Sequence, residues 1–174
     1  VMMLSLIPTA ALAAPTSERY GSTAISQLEN GANLQWAYDI LKAGVGESAE
    51  TMSFQDNSGQ SITSKELDAV LEVYRNDYPQ HFWLGKQYTV HTIGGTVMSI
   101  EPIYTMTGDQ LISAKNAFNT TVELALSGIT EDMSEFEIEL YLHDYLADRV
   151  AYTLEATYAH DAYGALVEGK AVCE

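Results

Sequence analysis

Cysteine occurs once in the 174 residues, as Cys173, within the run YGALVEGKAVCE from Tyr163 to Glu174. A single cysteine cannot form an internal disulfide, so it is a buried spectator, an intermolecular bridge or a nucleophile. Its neighbours bear on that choice. Gly169-Lys170 reads as a turn and Ala171-Val172 is small and apolar; Cys173-Glu174 then reads as the first turn of a helix, where an acid suits the positive end of the dipole. A thiol at a helix N-terminus has its pKa lowered from about 8.5 into the range of roughly 3.5 to 7.5 found for reactive cysteines. Such an environment makes a nucleophile. Burial as a small hydrophobe is the alternative that these few residues leave open.

Four histidines accompany it: His81, His91, His143 and His160. His81 stands among aromatics after Pro79 and His91 in a β-rich stretch; no metal-ligand spacing joins them, so both read as packed or surface side chains. His143-Asp144 falls in mid-helix, where adjacent side chains point about 100° apart and are expected not to pair. His160-Asp161 precedes the terminal run in a loop, and the spacing neither requires nor forbids its approach to Cys173. No acidic loop has calcium-ligand spacing, and no cofactor is expected.

The composition bounds what such a site can serve. A formal charge of −16, from 24 acidic and 8 basic residues, argues against binding a phosphate backbone, so no nucleic-acid partner is expected. With 47% hydrophobic and 18% charged residues the chain reads as globular, long enough to bury a core without disulfides. The opening VMMLSLIPTAALAAP is an apolar run closing on small residues, with Ala11 and Ala13 spaced as in an A-x-A cleavage site. It is too short for a membrane span, and no basic residue precedes it. It reads as the remnant of a signal peptide over residues 1–13, with a buried amphipathic segment of the mature fold as the alternative. The expectation is export, with a mature chain that begins near Ala14 and makes no stable membrane insertion.

Several elements are available to position the site. Ile25, Leu28, Leu34, Trp36, Ile40 and Leu41 follow a helical pattern interrupted at Gly31 and ended near Gly44 to Gly46, and ESAETMSFQDNSGQS reads as a loop. Thr63 with Glu66 forms a capping-box signature ahead of Leu67, Val70, Leu71 and Tyr74, one buried helical face stopped by Pro79. FWLGKQYTVHTIGGTVMSIEPIY predicts a β-hairpin turning at Gly94-Gly95 and broken by Pro102. Leu111, Ala114, Phe118, Val122, Ala125 and Leu126 predict a helix from about Thr107 or Gly108 to Ser127. Ser134 and Glu137 form a second capping box, opening a helix with Phe136, Leu140, Leu142, Tyr145, Leu146 and Val150 as its apolar set. Residues Ala151 to Glu174 are tyrosine-rich and irregular and are not expected to close a core alone.

The run DAYGALVEGKAVCE, with the preceding MSEFEIELYLHDYLADRVAY, resembles the transglutaminase-like domain of bacterial secreted and cell-surface proteins, in which A-Y-G-A-L and G-x-A-V-C lead into G-Y-A and the central helix. The resemblance covers Met133 to Glu174. From about Leu67 to Ile129 the order helix, F-W, hairpin, P-Y, helix is similar to the region upstream of such domains. It implies an α+β chain: a mostly helical N-terminal region with a β-hairpin over residues 14–129, leading into the truncated start of a papain-like cysteine-hydrolase core over 130–174. It also implies that Cys173 is the nucleophile and that the substrate is a protein or cell-wall peptide. The family's histidine, often in an H-A-W-N context, and its aspartate follow the cysteine; neither follows Cys173 here, and His160 stands in the wrong chain order. Val167 occupies the position six residues before the cysteine where papain-like proteases carry an oxyanion-binding glutamine. The expected protein is therefore an exported thioester-forming hydrolase or acyltransferase of which this chain is an inactive N-terminal fragment. Two alternatives are a non-catalytic envelope module that keeps the fold for binding, and an adaptor or prodomain-like unit over Leu67 to Gly128 that covers the cleft.

Overall fold

The computed structural model describes residues 24–26, 28, 30–55 and 59–172. The signal-peptide reading of residues 1–13 lies outside them. In chain order the elements are α1 (Gly31–Gly46), β1 (Met52–Ser53), α2 (Ser64–Asp77), β2 (Leu84–Ile93), β3 (Thr96–Tyr104), α3 (Gly108–Leu126), α4 (Glu135–Ala147), β4 (Ala151–Tyr152), a π-helical turn (Gly164–Glu168) and β5 (Lys170–Ala171). Helices beside a small antiparallel sheet make the fold α+β.

α2 starts where its sequence says it must. The Glu66 N–H donates to Thr63 Oγ1 at 3.3 Å and the Thr63 N–H donates to Glu66 Oε2 at 2.8 Å, so two backbone donors at the helix start are satisfied reciprocally. Leu67, Val70, Leu71 and Tyr74 then bury one face against α1, which contributes Leu34, Ala37, Tyr38, Leu41 and Val45. Each buried leucine or valine among them stabilises the fold by roughly 1.5 to 3 kcal/mol through removal from water. The Tyr38 hydroxyl also donates to Asp77 near the end of α2, which holds Tyr38 well above the ordinary phenol range through burial first and the carboxylate second.

The hairpin turns at Gly94 and Gly95, both with positive φ (59° and 88°), the conformation a two-residue turn needs to match the strand twist. Ile93 pairs Thr96 across it. The expected break at Pro102 is not there: β3 continues to Tyr104, with Pro102 opposite Tyr88. β3 is the central strand, but β1 pairs only Ile100 and Ser99, so Pro102 stands beyond that partner, where its missing N–H breaks no β1 bond. A register irregularity between Leu84 and Tyr88 leaves the Gly85 carbonyl to the Arg75 guanidinium, at 3.0 Å. The stretch from Glu47 to Ser61, read as a loop, contains β1; Met52 and Phe54 alternate inward and are buried.

α3 buries Leu111, Ala114, Phe118 and Ala125, as its periodicity predicts. α4 differs from expectation. Its capping box forms, with Glu137 N–H to Ser134 Oγ at 3.3 Å and Ser134 N–H to Glu137 Oε2 at 2.8 Å, but within the helix only Tyr145 is buried. Phe136, Leu140 and Leu146 are 71%, 47% and 40% exposed. Apolar residues lie all round this helix, and at about 100° per residue only the arc of Ile138, Tyr141, Leu142 and Tyr145 can face α3. No helix of the described residues is long and apolar enough to cross a membrane.

Candidate functional site

The candidate nucleophile Cys173, with Glu174, lies outside the described residues. The chain that delivers it is described as far as Val172. Lys170 and Ala171 form β5 and pair in parallel with Ala151 and Tyr152 of β4. The Ala151 N–H donates to Gly169 O at 2.8 Å, Thr153 N–H to Ala171 O at 3.0 Å and Val172 N–H to Ala159 O at 3.0 Å. The last residue before Cys173 is thus tied by its backbone to the loop that carries His160 and Asp161. Lys170, read as half of a turn, is instead a strand residue.

The segment feeding β5 is held from below. Gly164 packs so closely that a Cβ there would meet the Tyr158 carbonyl oxygen at 1.8 Å and Lys170 O at 2.9 Å, an approach that only glycine permits. Its N–H donates to Asp161 Oδ1 at 3.0 Å, which fixes the entry to the π-helical turn. Partial burial raises the Asp161 carboxyl above its ordinary range; the N–H groups of Gly164 and Tyr163 oppose the rise. Tyr163 packs its ring 4.9 Å from Phe82 and 5.4 Å from Tyr158, and Tyr158, Leu166 and Val167 are half-buried against the same core. Val167, at the position of the papain-like glutamine, therefore serves packing. Neither Gly164's close approach nor the Asp161 cap is signalled by hydrophobic periodicity; the D-x-x-G spacing of Asp161 and Gly164 is the only trace of them in the sequence.

The histidines divide. His81 Nδ1 is hydrogen-bonded to the Tyr74 hydroxyl, and its ring stacks on Tyr78 with centroids 5.3 Å apart, as packing residues do. His91 Nε2 lies 3.1 Å from Glu101 across the exposed hairpin. His143 and Asp144, expected not to pair, do so: Nδ1 and Oδ1 are 3.0 Å apart on the exposed side of α4. The expectation considered where the Cβ atoms point, whereas imidazole and carboxylate are long enough to fold toward one another along the helix surface. His160 is exposed, on the loop beside Asp161.

Between α3 and α4 lies a shallow groove of about 450 Å³ lined by Leu124, Ser127, Tyr141, Tyr145 and Arg149 with two aspartates. Arg149 lies over the Tyr145 ring at 3.9 Å and donates to the Tyr145 carbonyl oxygen at 3.3 Å, so its guanidinium is committed to closing the end of α4. No residue of the π-helical turn or β5 lines this groove, and no three His, Cys, Asp or Glu of the described residues converge as metal ligands would. The chain matches no protein-family model, and no curated protein matches it.

Proposed function

We propose that this chain belongs to an exported, secreted or surface-attached transglutaminase-like protein that acts on peptide or isopeptide amides through Cys173. The reading rests on the run GKAVCE, and the observation that best supports it is the anchoring of the chain just before Cys173. Parallel pairing with β4 and the Val172 to Ala159 bond restrict the chain up to residue 172, and a nucleophile needs a restricted approach to its carbonyl.

The proposed reaction runs through a thioester. The Cys173 thiolate attacks the amide carbonyl, and the tetrahedral oxyanion collapses with cleavage of the C–N bond. A protonated base donates its proton to the departing amine, leaving an acyl group on sulfur. Water then gives the acid, or a second amine gives a new amide, and the thiol is regenerated. The base is expected from a histidine that follows Cys173 in the chain, as the family order implies.

A thiol-reactive probe tests this. In a protein extended past residue 174 to include that histidine, Cys173 should label rapidly near pH 6; in the 174-residue chain, labelling should rise only as pH approaches the ordinary thiol value of about 8.5. Equal, slow labelling in both would remove the activated-nucleophile reading.

A further inference from the structure

The outer face of α4 carries Phe136, Leu140, His143 and Ala147 at i, i+4, i+7 and i+11, a single stripe along the helix opposite buried Tyr145. Phe136 is 71% exposed and Leu140 47%. Helical spacing puts Glu135 and Glu139 along one side of the stripe and Glu137 and Asp144 along the other. The capping-box bonds to Ser134 hold Glu137 ionised, its pKa lowered by the Ser134 backbone N–H and then its hydroxyl. Phe136, Leu140 and Ala147 make the apolar part of the stripe, and His143, 3.0 Å from Asp144, belongs to its polar edge. An apolar seam flanked by carboxylates is an uneconomical way to face water, since a surface helix ordinarily places polar residues there.

We propose that this stripe docks a cationic amphipathic segment of another polypeptide, its apolar side seated on Phe136 and Leu140 and its Lys or Arg residues reaching the flanking carboxylates. Charge chooses this occupant. A second copy of the chain would bring the same carboxylate rows face to face within a molecule of net charge −16, and an anionic lipid surface would meet the same repulsion. A helix laid in register along the seam satisfies both the apolar and the charged rows, which a free cation or a neutral ligand cannot do. The proposal does not depend on the activity proposed for Cys173.

Two synthetic peptides with identical leucine seams, one flanked by lysine and one by glutamate, provide the probe for titration of the 174-residue chain by fluorescence anisotropy. The lysine peptide should bind saturably and the glutamate peptide at least about tenfold more weakly; one interaction worth 1.4 kcal/mol accounts for each factor of ten. Phe136→Ser with Leu140→Ser should weaken the lysine peptide at least tenfold, while Ile93→Ser, an exposed apolar residue at the hairpin tip, should leave it unchanged. Both variants alter exposed side chains, and circular dichroism checks that they fold. Lysine-peptide binding indifferent to Phe136 and Leu140 would reduce the contact to unspecific charge and overturn the proposal. So would equal binding of the two peptides, or sedimentation that shows the chain pairing with itself through this stripe.

Discussion

A methyl group added at Gly164 would stand 1.8 Å from the Tyr158 carbonyl oxygen and 2.5 Å from its carbon, both backbone atoms that no rotamer can move aside. Gly164→Ala therefore has to displace either the loop before it or the strand after it. Forced overpacking of this kind costs about 1 to 3 kcal/mol, and the displacement falls on the segment that leads to Cys173. The expected outcome is a lower Tm together with faster amide exchange at Ala151, Thr153 and Val172, whose N–H groups make the bonds around β5. Unchanged exchange at these three amides would mean the segment is fixed by something other than this contact. The same residue marks the limit of the sequence here. The reading of GKAVCE rests on adjacent residues alone, whereas the approach of Gly164 to Tyr158 and Lys170 depends on chain that returns from elsewhere. A two-residue parallel pair such as β4 with β5 is too short to show a period.

At the scale of elements, α2 and α4 begin with the same device and end differently. Thr63 and Ser134 each accept from the third helical N–H, and Glu66 and Glu137 each reach back, so both helix starts could be placed from sequence alone. The buried face of α2 was legible as well, because its apolar residues occupy one side. That of α4 was not: apolar residues all round a helix do not say which side is covered. The hydrogen bonds of the cap hold the Glu66 carboxyl below its ordinary value of 4.5, first through the Thr63 backbone N–H and then through its hydroxyl. A lowered folded-state pKa gives stability that is present above 4.5 and lost as pH falls through the lowered value. Thr63→Ala should cost about 1 kcal/mol at neutral pH, measured by denaturant unfolding, and the gap from the parent protein should narrow as pH falls below 4.5 and the parent's Glu66 takes up its proton. A gap that stays constant on acidification would show that the threonine acts through its bond to the Glu66 N–H and not through the Glu66 carboxylate.

On the scale of the whole molecule, aromatic rings join the α1–α2 core to the segment that ends at Val172. Tyr38 meets Tyr74, Tyr74 stacks on Tyr78 with centroids 4.9 Å apart, and His81 carries the contact on from Tyr78 to Trp83. Phe82 stands at the junction, its ring 5.1 Å from Phe118 of α3 and 4.9 Å from Tyr163. The terminal segment, which as a sequence looks unable to close a core alone, closes one by sharing this ring system. α4, which comes before it in the chain, touches the rest through one arc only. Stability is consequently uneven: the strands and turn after α4 should be held more firmly than α4 itself. Truncating a buried phenylalanine costs about 3 to 5 kcal/mol, a large part of the 5 to 15 kcal/mol that keeps a domain folded. Phe82→Ala should thus lower the unfolding midpoint in one cooperative transition and strip exchange protection from Val172 and Gly164 together with that of the α2 core. If those two amides kept their protection while α2 lost its own, the terminal segment would be standing on its own contacts. The ring system would then be packing and not the link that holds the approach to Cys173 in place.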